Sequence, residues 1–405
     1  MILELCSSSC SSRTLDHLVQ HQDLPHIQIM STSRSQCSFL VEWFDTESST
    51  TRTFVLNFWT NDQNVEMIDV KKNKIFLRKT SCDGVLLKDL FVGNSVKVFS
   101  RILKIVNYAD AYTKNYLEST NYQCSVALFR PHANDKKSEL LQDLINHGFE
   151  FINLVMVEFN EDIKKAMSQS ESTARIPISS MLNGPVVVFQ VRSINAVQKL
   201  QDVIGPEDRE EALSNYPHSV RSRYPQWNAT NLYVANEDTY QQLSHIFFPT
   251  SDPKVTLRPH CLLNNTTLCI IKPHALKQGN MANILRVIEE NRFEISGMRM
   301  LLMDHSSVVR LLEIYQGVVS EYPGYVTQLL SGKCLALEIN GPLGTQDTPQ
   351  QFRELAGPAN VEVAKELRPH TIRAKYGRNP VENAVHVTDL PEDAYFEVEF
   401  VFRTI

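Results

Sequence analysis

The chain has 405 residues and a net charge of −6, from 40 basic and 46 acidic side chains. At about 150 residues per domain that is chain for two to three domains, and 42% apolar with 21% charged residues excludes collagen-like, disulfide-scaffold and wholly disordered chains. The acidic balance argues against a general nucleic-acid binder, and apolar runs such as 186–191 and 268–271 fall far short of a membrane span. Eight scattered cysteines without a Cys-x-x-Cys pair or zinc-type spacing are read as reduced thiols. The first ten residues lack the basic and apolar segments of a secretory signal, so the expected location is the cytoplasm.

Residues 1–36 are rich in Ser, Thr and His, with no sustained apolar period, and are read as a flexible leader. Short β-type runs follow at 39–44, 54–59, 65–70, 74–77, 95–99 and 102–106. Turn signals such as Asn61-Asp62 and Asp83-Gly84 separate them. This pattern predicts a β-rich domain over 37–120. Between Glu66 and Lys114 ten basic residues stand against five acidic ones. That local excess fits either lysine protection of an edge strand or attraction to an acidic protein surface.

The remainder repeats itself. Ser125-Val126-Ala127-Leu128-Phe129-Arg130-Pro131-His132-Ala133 answers Thr267-Leu268-Cys269-Ile270-Ile271-Lys272-Pro273-His274-Ala275, and Gly184-Pro185-Val186 answers Gly332-Lys333-Cys334. Gly205-Pro206 precedes Arg221 by the sixteen positions that separate Gly357-Pro358 from Arg373. Two copies of one domain are therefore expected, over 121–250 and 263–405. In the second copy, strands ending at Lys272 and over 293–298 and 334–339 alternate with helices over 283–290, 306–315 and 324–330, and Pro349 lies near the start of another helix. The order predicts an α+β fold of the ferredoxin-like βαββαβ type, which hosts many functions, so function must be read from the site.

The second copy gathers Lys272, Arg353 and Arg373 with Asn383 and His386. Arg forks and a Lys point charge match phosphate oxygens, and no Gly-x-x-x-x-Gly-Lys-[Ser/Thr] loop is present. The segment Asn383-Ala384-Val385-His386-Val387-Thr388-Asp389 resembles the Asn-x-x-His-x-[Ser/Thr]-Asp hallmark of nucleoside diphosphate kinases, and the likeness covers the whole copy. The resemblance implies that His386 is the phosphorylated nucleophile and that Glu397 orients it by accepting from its other ring nitrogen. Lys272, Arg353 and Arg373 would hold the phosphates of ATP and other nucleotides, with Tyr315 near them. Asn383 would meet the ribose and Tyr322 would stack on the base. Mg²⁺ would be held through the nucleotide phosphates rather than by a protein cage. The chain departs from the family at Val387, where Gly is usual, at His274, where an acid is usual, and at Ala359, where Thr is usual.

In the first copy Arg130 replaces Lys272, Gln201 falls at Arg353, and Asn228-Ala229-Thr230-Asn231 aligns with Asn383-Ala384-Val385-His386. Asn231 offers no basic nitrogen, and Gln242 falls at Glu397. The copy is read as a degenerate scaffold with Arg221 a relic.

The β-rich domain resembles the DM-ten domain of ciliary doublet microtubules through Val65-Glu66-Met67-Ile68-Asp69-Val70-Lys71, Asp89-Leu90-Phe91-Val92-Gly93-Asn94 and Tyr108-Ala109-Asp110-Ala111-Tyr112. That likeness implies a cytoskeletal location, at the axoneme of a cilium or flagellum or at the centrosome, with tubulin or another axonemal protein as partner. Two fused copies imply an internal pseudo-dimer. Two functions are expected in competition: a nucleoside diphosphate kinase associated with microtubules, or a catalytically weak structural protein inside ciliary doublets. RNA recognition is disfavoured because no aromatic strand of the RNA-binding type appears.

Overall fold

Alternating apolar residues set the first sheet, in a computed structural model that describes residues 35–45, 48–130, 137–169, 171–174, 176, 184–224, 231–249, 257–342 and 347–405. The expected leader lies outside the described residues as far as residue 34. Strands β1 (Gln36–Asp45), β2 (Thr50–Trp59), β3 (Asn64–Asp69), β4 (Lys74–Ser81), β5 (Ser95–Val98) and β6 (Arg101–Tyr108) form one antiparallel sheet in the order β4-β3-β2-β1-β6-β5. Phe39, Val41, Phe54, Leu56, Phe58, Val65 and Met67 bury one face, the period-2 pattern of a half-solvated sheet. The helix Ala111–Glu118 packs on it. Asp110 caps that helix by accepting from the Thr113 N–H, and the Thr113 hydroxyl accepts from the Ser38 N–H at 2.8 Å.

The two copies share a second sheet. Strands β7 (Tyr122–Phe129), β8 (Glu150–Val157), β9 (Val186–Ile194) and β10 (Leu232–Val234) belong to the first copy; β11 (Thr266–Ile271), β12 (Glu294–Leu301), β13 (Cys334–Asn340) and β14 (Val385–Val387) belong to the second. The eight run in the order β10-β7-β9-β8-β12-β13-β11-β14, all antiparallel. Each half has the fourth-first-third-second order of the ferredoxin-like fold. The halves join edge to edge where Val155 of β8 pairs with Arg299 of β12. Helices Lys137–Asn146 and Met281–Glu290 pack across the join, and the Ser138 hydroxyl donates to Glu289 at 2.6 Å. The pairing hides the exposed edge that each half presents alone, so the expected pseudo-dimer is one continuous sheet.

The connection between copies is pinned by a buried carboxylate. Glu338 on β13 accepts from the N–H groups of Leu262 (2.8 Å) and Leu263 (2.7 Å) and from the Ser296 hydroxyl (2.8 Å). These charge-assisted bonds offset the desolvation of the buried acid. Gly297 makes room for this strand crossing, since a Cβ there would stand 2.7 Å from the His260 carbonyl oxygen.

Candidate active site

Backbone geometry positions the site before any side chain does. The helix Thr348–Ala356, capped by Asp347, ends at Gly357, whose φ of +85° lets its N–H bond the Arg353 carbonyl. Beside it, β14 pairs with β11 so that His386 faces Ile270. Ala384 just before it adopts φ +71°, a conformation unfavourable for a residue with a Cβ. Buried His274 offsets that strain: its Nε2 accepts from the Ala384 N–H at 3.3 Å while Nδ1 meets the Gln328 amide at 2.9 Å. Burial pushes the His274 pKa down to about 4, so the ring stays neutral.

His386 is 5% exposed. Its Nε2 is enclosed, has no hydrogen bond among the described residues, and lies 3.7 Å from Glu397 Oε2. The expected bond between the two is therefore not closed. That carboxylate oxygen is engaged instead by the Thr388 hydroxyl at 2.7 Å, which fixes Glu397 in front of the ring. The Tyr315 ring stands edge-on to the imidazole, with centroids 6.2 Å apart, and its hydroxyl donates to Asp389 Oδ2 at 2.6 Å. Burial raises the Tyr315 pKa, and Asp389 adds to the effect.

The three cations are held around the His386 strand by different means. Lys272 immediately precedes the helix Pro273–Lys277, donates to the Val381 carbonyl at 3.0 Å and sits 4.9 Å from the Tyr325 ring centroid. Burial, with Arg373 adding, lowers its pKa from 10.5 to about 7. Arg373 is buried and gives its fork to the carbonyls of Gly357 (2.8 Å) and Val385 (3.3 Å). Arg353 is exposed and turns to Asp389, bonding its carboxylate at 3.3 Å and its carbonyl at 3.0 Å. Arg373 is thus largely a backbone clamp, and Asp389 occupies Arg353. Asn383 donates to the Ala359 carbonyl at 3.1 Å, and its Oδ1 is buried without a partner among the described residues. Tyr322 begins the helix Tyr322–Leu329 half-buried against an apolar cluster, and shares no ring contact or hydrogen bond with the groups around His386 among the described residues.

Several contributors escaped the sequence reading. Tyr325 bridges Tyr315, 6.0 Å away, to Lys272; Thr388 and Asp389 act on Glu397, Tyr315 and Arg353; His274 supports the turn before His386. Thr388 and Asp389 were legible as parts of the hallmark segment, whereas nothing local marked Tyr325.

The first copy repeats the frame with different side chains. Its Gly205, φ +91°, bonds the Gln201 carbonyl at 2.8 Å, confirming Gln201 at the place of Arg353. Arg130 N–H bonds the Asn231 carbonyl at 2.8 Å as Lys272 N–H bonds that of Ala384 at 2.9 Å. Arg221 reaches the carbonyls of Gly205 and Leu232, both at 2.7 Å, as Arg373 reaches those of Gly357 and Val385. Leu232 therefore matches Val385, and Tyr233, paired with Leu128, stands where His386 pairs with Ile270. The alignment of Asn231 with His386 is wrong by two residues; Asn228-Ala229-Thr230 lies outside the described residues. A phenol thus stands where the second copy has its imidazole. Gln242 accepts from the Ser172 hydroxyl at 3.2 Å. Arg221 is no relic, because it ties a helix end to β10.

With that geometry in place, the comparisons identify the class. The nucleoside diphosphate kinase family model matches residues 123–252 and 265–405, and the chain belongs to that family. It is 36% identical over 380 residues to nucleoside diphosphate kinase homolog 7 of Rattus norvegicus, covering 91% of this chain and 93% of that protein. Its identity to the Mus musculus protein of the same name is 35% over 383 residues, with the same shares covered. A thioredoxin domain-containing protein 3 homolog of Heliocidaris crassispina is 29% identical over 69% of this chain and 32% of its own. The solved nucleoside diphosphate kinase of Aquifex aeolicus is 29% identical, with a TM-score of 0.32, over 35% of this chain and 96% of its own.

Proposed function

We propose that the second copy moves the γ-phosphoryl group of a nucleoside triphosphate to a nucleoside diphosphate through a phosphohistidine at His386. The observation that carries this reading is the orientation of one ring: Nε2 is enclosed and faces Glu397 at 3.7 Å, and Thr388 fixes that carboxylate. A proton held on Nε2 leaves the lone pair on Nδ1 as the nucleophile. In the first half-reaction the Nδ1–P bond forms, the bond from Pγ to the bridging oxygen breaks, and the leaving diphosphate takes the electron pair. In the second, a terminal oxygen of another nucleoside diphosphate attacks phosphorus and returns the pair to Nδ1. Glu397 balances the positive charge that the ring gains in between.

Lys272 and Arg353 are the cations able to meet phosphate. Arg353 exchanges the Asp389 carboxylate for a phosphate oxygen, while Lys272 gains a full charge as an anion raises its lowered pKa. Among the described residues no three His, Cys, Asp or Glu side chains cluster as a metal site, and the Asp389 carboxylate already serves Tyr315 and Arg353. This donor set suits Mg²⁺ that arrives on the nucleotide and keeps its waters; it supplies charge neutralisation on the phosphates. The commitment of Arg373 to backbone, with Val387 and Ala359 in place of the usual Gly and Thr, supports a reduced turnover. Purified chain with Mg-ATP and a nucleoside diphosphate acceptor is expected to turn over, and His386→Asn to fall to background. Equal turnover in that variant overturns the proposal.

The first sheet supports association with the acidic surface of tubulin, at axonemal or centrosomal microtubules. Lys71, Lys72, Lys74 and Arg78 on edge strand β4 and the turn before it are exposed and make no ion pair among the described residues, while Lys79 pairs with Asp62 at 2.9 Å. Co-sedimentation with microtubules is expected to weaken with salt and to be lost when the four are changed to Glu; unchanged binding rejects this role. Binding retained alongside inert His386 chemistry leaves the structural reading, a microtubule inner protein.

A further inference from the structure

A cavity of about 790 Å³ lies where the first sheet and the two copies meet, away from His386. That volume is in the range of small-molecule sites, roughly 300–1,000 Å³. Its apolar wall takes Val96 and Phe99 from the N-terminal domain, Phe149 and Ile152 from the first copy, and Leu276 and Met300 from the second. Charged groups interrupt this wall, and most already have partners. Lys88 pairs with Glu150 at 3.2 Å, Asp89 accepts from the Leu86 N–H at 3.0 Å, and Lys277 donates to the Ser331 carbonyl at 3.2 Å. Lys333 of the second copy donates to Asn94 of the first sheet at 2.7 Å and to the Ile152 carbonyl of the first copy at 2.6 Å. One ammonium thus ties three domains together.

Two charged lining residues make no hydrogen bond or ion pair among the described residues: Asp83, which is exposed, and Lys97, which is half-buried and lines the cavity from β5. Asp304 is the opposite charge that Lys97 feels. A half-buried cation without an acceptor, beside an apolar chamber of ligand size, is completed by an anion attached to an apolar body.

We infer that this three-domain junction binds a small amphipathic anion, its apolar body among Phe99, Phe149, Ile152 and Met300 and its single anionic group on Lys97. The site is separate from the groups around His386, although one element links them: Leu276 and Lys277 lie on the short helix that follows Lys272.

The test titrates the full chain with dodecanoate, below its micellar concentration, by calorimetry, with dodecyltrimethylammonium as the chain-matched cation. Dodecanoate is expected to bind one per chain and the cation at least about tenfold more weakly, since a charge-assisted bond separates them. Lys97→Ala is expected to weaken dodecanoate by roughly tenfold or more, with Lys97→Arg within about threefold of wild type. Met300→Trp, which fills the chamber from another domain, is expected to abolish binding while the thermal transition stays cooperative. Absence of stoichiometric dodecanoate binding, equal binding of the cation, or indifference to Lys97→Ala and Met300→Trp overturns the inference. None of these readouts involves nucleotide, so they stand or fall apart from His386.

Discussion

Lys272→Met separates stability from function at one side chain. Lys272 is 3% exposed, with Val381 as its hydrogen-bond acceptor, and its pKa is held at about 7 instead of 10.5. At 1.36 kcal/mol per pH unit, the charged form costs the folded state roughly 5 kcal/mol. Releasing a proton at pH 7 relieves a little of this, leaving about 4 kcal/mol, and loss of the Val381 bond returns about 1 kcal/mol. The Met variant is therefore expected to be more stable than wild type by roughly 3 kcal/mol at pH 7. The folded pKa lies below the unfolded one, so between about pH 7 and 10.5 the unfolded chain binds more protons and wild-type stability rises with pH. The variant's advantage is fully present below pH 7 and shrinks by somewhat over about 1 kcal/mol per pH unit above pH 8. Urea unfolding of both proteins at pH 6, 7, 8 and 9 measures this, while nucleotide affinity moves the opposite way. A variant less stable than wild type at pH 7, or an advantage that does not shrink with pH, refutes the reasoning.

Arg221→Met is expected to cost roughly 3 kcal/mol in urea unfolding although its copy has Tyr233 where the second has His386, because the carbonyls of Gly205 and Leu232 lose their donor; a change under about 0.5 kcal/mol would restore the view of it as a relic. Gly357→Ala places a Cβ 2.6 Å from Thr371 Cβ at φ +85°, and Gly205→Ala one 2.7 Å from Ser219 Cβ at φ +91°. Each is expected to lower stability by more than about 2 kcal/mol, and tolerance of either contradicts the packing described at that helix end. Thr388→Ala frees Glu397 and is expected to lower kcat roughly tenfold with little change in KM, the loss of one hydrogen bond to a charged group; a KM effect alone would assign Thr388 to binding.

Much of the fold was written in local pattern. Period-2 runs marked all six strands of the first sheet, and the paired Gly-Pro and Arg spacings announced the duplication. The merging of the copies was not legible, because Val155 and Arg299 sit on edge strands whose backbone donors and acceptors leave no trace in side-chain order. The Asn231 error has a related cause. A slip of two residues keeps every side chain of a strand on the same face, and three residues, Leu232–Val234, offer too few alternations to reveal it. Only the carbonyl partners of Arg130 and Arg221 fix the register. In the site, residue types pointed to phosphate, but Arg373's commitment to Gly357 and Val385, and Asp389's hold on Arg353 and Tyr315, depend on loops brought together from distant parts of the chain.

The most direct measurement is of the covalent intermediate. The chain is incubated with Mg²⁺ and γ-labelled ATP, quenched in alkali, digested and read by phosphorus NMR and mass spectrometry. One acid-labile phosphoryl group per chain is expected, on Nδ1 of His386, discharged by added nucleoside diphosphate and missing from His386→Asn. Label on Nε2, label that survives His386→Asn, or an unlabelled chain would contradict the assignment of this imidazole as the phosphoryl carrier.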